Sequence, residues 1–169
     1  MAKLAIGRAV SKMLGFSKYD FEKVIVHESV LENAIEFAKA NSPKEFAALL
    51  FGSVKNKTLY IEGIIYQHFS ANRNSAVMKS LFPISSAFGS VHSHPGPSGK
   101  PSSADLLFFS NNGLFHLIIA SPFSINSFYA YTKSGKPTDF YVYDDYSGET
   151  TEYLAYAKSK SQMHQLHKL

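Results

Sequence analysis

Three side chains suited to holding a cation fall within His92-Ser-His94-Pro-Gly-Pro-Ser-Gly-Lys-Pro-Ser-Ser-Ala-Asp105. His92 and His94 are two apart, so on a strand both imidazoles leave the same face and can reach one ion. A His-x-His pair alone is expected by chance roughly 0.3 times in a chain with this many histidines. Requiring Pro after the second His, Ser eight residues on and Asp eleven on lowers that expectation to roughly 10⁻⁴ to 10⁻⁵. The chain has no Cys, so any metal must be held by His and carboxylates. Two imidazoles and one carboxylate leave a fourth position open, which distinguishes a catalytic zinc from a structural one, and water there is acidified enough to serve as a nucleophile near neutral pH. A base is then required. Glu45 is the best placed, because it follows a Pro-Lys pair and heads the apolar run EFAALLFG, where a carboxylate is otherwise out of character. Two His and one carboxylate also describe the facial triad of Fe(II) oxygenases, but those join one His closely to the acid and bring the second His from far away, the opposite order, so zinc is preferred.

The elements that must carry these residues follow from periodicity. Leu31, Ala34, Ile35 and Ala38 share one helical face over Ser29–Asn41, with Ser29-x-x-Glu32 at capping-box spacing and Pro43 beyond the end. FEKVIVHES alternates as a short strand, EFAALLFGSV suits a buried one, and Asn56-Lys57 separates it from TLYIEGIIY as a hairpin. Residues 68 to 86 have no clean period and are read as a long loop or irregular insertion. A strand over Ala87–His92, a Gly/Pro-rich loop over Pro95–Pro101 and a helix over Ser102–Asn112 carry the candidate ligands. Three more strands fit GLFHLIIAS, SINSFYAYT and DFYVYDD, and the last residues, from Glu149, have helical composition. The sum is an α/β (α+β) single domain with a mixed sheet flanked by helices.

Composition narrows the class. The 169 residues include 14 Phe and 10 Tyr, enough apolar area for one folded domain and against disorder. No apolar run reaches the roughly 18 residues needed to span a bilayer, so a soluble, cytoplasmic protein without membrane partners is expected. The net charge of +4 comes from the tails: Lys3, Arg8, Lys12 and Lys18 at one end and Lys158, Lys160 and Lys168 at the other, while the centre has 10 basic against 13 acidic residues. Such short basic ends are read as solvated rather than as nucleic-acid arms. Other candidates have plainer readings. His116 lies in an apolar strand as a hydrogen-bonded core histidine, His164 and His167 belong to a solvated helix, and Glu62 points outward. Ser102-x-x-Asp105 is itself capping-box spacing, although Ser103 can cap while Ser102 faces the metal.

The pattern Glu45, His92-Ser-His94-Pro95 and Pro101-Ser102-x-x-Asp105 resembles the JAMM, or MPN-plus, metalloproteases of the JAB/MPN superfamily, in their small prokaryotic form, over residues 22 to about 145. The resemblance implies an MPN fold in which His92, His94 and Asp105 bind Zn²⁺, Glu45 is the general acid/base and the Ser102 hydroxyl supports the tetrahedral intermediate. It implies hydrolysis of amide or isopeptide bonds, with ubiquitin-like protein conjugates as substrates cut after a Gly-Gly tail, and leaves a homodimer open. It divides the chain into a basic N-terminal arm (1–20), the metalloprotease domain (21–148) and a C-terminal helix (149–169). A strand edge beside the metal, flanked by residues 68 to 86, is expected to accept the substrate in extended form. Two departures stand out. Ala47 and Ala48 occupy positions where the family commonly has Cys and Gly, and Asp105 is followed at once by LLFFSNNGLF, without the insertion that linkage-specific members carry. Two other classes are open to such a chain: a scaffold-only MPN domain, disfavoured because every ligand is present, and a nucleic-acid-linked metallohydrolase suggested by the basic tails.

Overall fold

A computed structural model describes residues 21–66, 70–72, 75–77 and 87–153. The N-terminal arm, most of the 68–86 insertion and residues 154–169, with His164 and His167, lie outside the described residues. The elements run β1 (Lys23–His27), α1 (Glu28–Asn41), β2 (Ala47–Lys55), β3 (Thr58–Ile65), β4 (Ser70–Asn72), β5 (Ser75–Val77), β6 (Ala87–His94), α2 (Ser103–Asn111), β7 (Phe115–Ala120), β8 (Phe128–Thr132), β9 (Phe140–Tyr143) and β10 (Thr150–Tyr153). Eight strands form one mixed sheet in the order β10-β9-β1-β3-β2-β6-β7-β8, and β4 and β5 form a separate two-stranded ribbon.

Side-chain alternation splits the interior into two layers. On β7, Leu117 and Ile119 join Phe128 and Ala130 of β8 in the larger core, together with Val30, Leu31, Ala34 and Ala38 of α1. Ile118 and Tyr131 point the other way and meet Phe109 of α2. The two helices therefore cover opposite faces of the sheet. Phe46, Phe109, Phe115, Phe128 and Phe140 are fully buried, and each such side chain contributes about 1.5–3 kcal/mol. The hairpin between β2 and β3 turns at Asn56 and Lys57, both left-handed (φ 48° and 59°), as a two-residue turn matched to strand twist requires. Gly89 lets β6 approach β7, since a Cβ there would stand 1.5 Å from the Phe115 carbonyl oxygen.

The segment β6-α2-β7 is a parallel crossover unit, with β6 and β7 paired from Gly89↔Phe115 to His94↔Ala120. It brings the loop after β6 and the first turn of α2 to the carboxyl ends of two parallel strands, the usual location of sites in such sheets.

Two expectations are corrected. The Ser29/Glu32 capping box does not form: β1 runs straight into α1, His27 is the N-cap without a side-chain cap, and the Ser29 N–H instead donates to Asp145 Oδ2 at 3.1 Å. Asp145 also pairs with His27 Nδ1 at 2.5 Å. The C-terminal region does not begin as a helix: Thr150–Tyr153 pairs antiparallel with β9, after a turn in which Asp144 Oδ1 accepts from the N–H groups of Tyr146 and Ser147. β-branched Thr150 and Thr151 favour that strand. β6 itself is paired on both sides, by β2 and β7, so an edge beside the metal belongs to another strand; β8 and β10 are the outer strands of the described sheet.

Candidate metal centre

β6 continues two residues beyond its expected end, to His94, so both histidines lie on one strand and one face. That face is the one covered by α2: Ser90, on the same side, bonds His116, and His92 lies 6.1 Å from the Phe109 ring. Asp105 enters from the first turn of α2. His92 Nε2 and His94 Nε2 are 3.1 Å apart, His92 Nε2 is 3.2 Å from Asp105 Oδ1, and His94 Nε2 is 3.6 Å from Asp105 Oδ2. Among the described residues, these are the group of His and carboxylates whose donor atoms converge.

The spacing suits a metal. Donors about 2.0–2.1 Å from a tetrahedral ion stand about 3.3 Å from one another. Lone pairs of two imidazoles and a carboxylate aimed at one another call for positive charge between them. The electrostatics agree: burial opposes ionisation of Asp105, but hydrogen bonds from His92 and His94 hold its carboxyl well below the usual range. For His94, burial works against protonation, yet the bonds to Asp105 and to the Ser98 carbonyl prevail and raise its pKa. His94 Nδ1 is 2.8 Å from that carbonyl oxygen. A carbonyl only accepts, so Nδ1 carries the proton and Nε2 keeps its lone pair for an ion.

Glu45 precedes β2 by two residues and is partly buried. The antiparallel register Ala47↔His92 carries on through Phe46, whose carbonyl accepts from the Ser93 N–H at 2.9 Å and whose N–H donates to Ser93 Oγ at 2.9 Å. Glu45 is thereby set opposite His94, and its charge contributes to raising the His94 pKa. Ser102 does not leave the capping to Ser103. Its Oγ accepts from the Asp105 N–H at 3.2 Å, while its own N–H donates to Asp105 Oδ2 at 2.7 Å. One capping box thus orients the carboxylate and starts the helix.

His116 is the core histidine its apolar strand suggests. It is fully buried, bonded to Ser90 Oγ at 2.9 Å and stacked 4.2 Å from Phe109, and burial pushes its pKa down to about 3. Glu62 is exposed and accepts from Ser53 Oγ. Ser93, Ser98 and Gly99 also shape the site, though the motif does not single them out. Ser98 contributes only a backbone carbonyl, to which residue type is blind; Ser93 leaves a signal, since its place between two histidines on a strand turns its hydroxyl to the opposite face.

Residues 27–131 match the family model described as prokaryotic homologs of the JAB domain. A probable metalloprotease of Haloferax volcanii is 31% identical over 135 residues, covering 73% of this chain and 81% of that protein. A solved structure described as a JAMM metalloprotease-like zinc site in the proteasome and signalosome aligns with a TM-score of 0.54 at 29% identity, over 72% of this chain and 98% of the other. A JAB1/MPN domain protein from Archaeoglobus fulgidus aligns with a TM-score of 0.55 at 30% identity, over 72% and 97%. With its mixed sheet, its flanking helices and its converging His92, His94 and Asp105, the chain belongs to the prokaryotic JAB-domain family of JAMM/MPN proteins.

Proposed function

We propose that this protein is a zinc-dependent metallopeptidase of the cytoplasm that hydrolyses amide and isopeptide bonds, releasing ubiquitin-like proteins from lysine after a Gly-Gly tail. The observation that carries the proposal is the convergence of His92 Nε2, His94 Nε2 and the Asp105 carboxylate beside Glu45. These three side chains would hold the ion, and bound zinc would supply Lewis acidity, acidifying water and polarising a carbonyl oxygen. Glu45 takes the proton from the attacking water and returns it to the departing amine, working from its register position opposite His94. The Ser102 oxygen accepts from the Asp105 N–H, which leaves its own O–H to donate toward the developing oxyanion. Ser93 and the capping box keep the base and the carboxylate in place before substrate arrives. The Gly-Gly preference rests on the family resemblance.

The test uses purified full-length protein and fluorogenic conjugates in which a diglycine tail is joined to a lysine amine. Zinc-dependent cleavage is expected, with Val in place of the penultimate Gly cut far more slowly. Equal rates on the Gly and Val substrates would refute the narrow preference in favour of a broader amidase, and no zinc-dependent cleavage of any amide would refute the hydrolase itself.

A further inference from the structure

The loop from β6 to α2 is exposed at Gly96, Pro97, Ser98 and Lys100, yet Gly99 in its middle is buried. β8 is what covers it. The Tyr131 hydroxyl donates to the Gly99 carbonyl at 2.8 Å. A Cβ on Gly99 would stand 1.9 Å from Tyr129 Cδ2, so the backbone here lies against that ring with no room for a side chain. One residue earlier, the same loop presents the Ser98 carbonyl to His94 Nδ1. Tyr131 is itself buried, and its ring stacks 6.1 Å from Phe109, the residue that lies against His92. Burial pushes its hydroxyl up to about 12, which keeps it protonated as a donor at every working pH.

We propose that Tyr131 is a positioning residue for the metal centre: its hydroxyl anchors Gly99, and so fixes the Ser98 carbonyl that sets the rotation and tautomer of His94. Gly99 is the required partner, because only a residue without a side chain lets the loop reach both tyrosines. The inference rests on His94 being a metal ligand. Nothing in the spacing of the motif points to it, since Tyr131 comes from a different strand and acts through backbone atoms. Partners of this indirect kind typically change metal affinity by about 10–100-fold.

The experiment compares full-length wild type with Tyr131→Phe, Gly99→Ala and His94→Ala. Zinc affinity is read by competition with a chromophoric chelator, and the imidazole ¹⁵N shifts of His94 are read in zinc-saturated protein. Tyr131→Phe keeps the ring and its packing and removes only the hydroxyl. It is expected to weaken zinc about tenfold and to shift the His94 Nδ1 signal as its bond to the Ser98 carbonyl loosens, with the His116 signals unchanged. Gly99→Ala is expected to do the same by the independent route of displacing the loop from Tyr129. Wild-type affinity and unchanged His94 shifts in Tyr131→Phe, with zinc lost in His94→Ala, would overturn the positioning role alone. Weakened zinc with unchanged His94 shifts would also overturn it, tracing the loss to packing. Full zinc retention in His94→Ala would overturn the ligand assignment and this inference with it.

Discussion

His116 should make the protein acid-labile, by an amount the structure allows to be worked out. Its ring is fully buried, Nδ1 pairs with Ser90 Oγ, Nε2 has no hydrogen-bond partner among the described residues, and burial, helped by the His92 charge, takes the pKa from 6.5 to about 3. Between those values the unfolded chain binds a proton at this position and the folded chain does not, so stability falls as the pH drops through the window and is fully present above about 6.5. The slope is about 1.4 kcal/mol per pH unit, which amounts to about 2.5 kcal/mol between pH 7.5 and 4.5. In His116→Phe the stack on Phe109 is kept and the titrating group is gone, at a cost of about 1 kcal/mol for the Ser90 hydroxyl left without its partner. Urea unfolding with chelator present, at both pH values and on both proteins, reads the effect of position 116, including the nearby His92 charge that adds to burial in disfavouring its protonation. The variant should lose about 2.5 kcal/mol less on acidification than wild type does. Equal losses would refute the claim that His116 is held neutral.

Other outcomes follow from single contacts. Ser93→Ala should destabilise by about 1–3 kcal/mol in chemical denaturation, because the buried Phe46 N–H loses its acceptor, and should lower turnover by displacing Glu45; unchanged stability would count against the Ser93 clamp. Asp145→Ala should cost about 0.5–2 kcal/mol in thermal or urea unfolding by uncapping α1, whereas Ser29→Ala should cost almost nothing; the reverse order would restore the local capping box. Glu45→Gln should retain zinc and the fold but reduce turnover at least about 10²-fold, and loss of zinc in that variant would make Glu45 a ligand instead.

The legible parts of the molecule are those written in short-range spacing. His92 and His94 two apart, Asp105 in the next helix, the Asn56-Lys57 turn and the helix carrying Leu31, Ala34 and Ala38 each leave a local trace, and each is where that trace places it. The illegible parts join residues distant in the chain. Asp145 caps a helix 116 positions away, Ser93 holds Phe46 across 47, and Tyr131 reaches Gly99 across 32. Such contacts have no period. Ser29-x-x-Glu32 shows the converse, a correct local pattern displaced because β1 leaves no residue free before the helix begins. The strand at Thr150–Tyr153 was masked by the helix-forming residues that follow it, and the exclusion of an edge at β6 depends on strand order, which single-strand patterns do not encode.

The central claim, a zinc ion held by His92, His94 and Asp105, is tested most directly by a crystal structure of protein grown with zinc, with anomalous data collected at the zinc edge. One strong peak is predicted within about 2.0–2.2 Å of His92 Nε2, His94 Nε2 and an Asp105 carboxylate oxygen, with His94 Nδ1 still on the Ser98 carbonyl. A peak bound elsewhere, or none at this trio in zinc-saturated crystals, would contradict it.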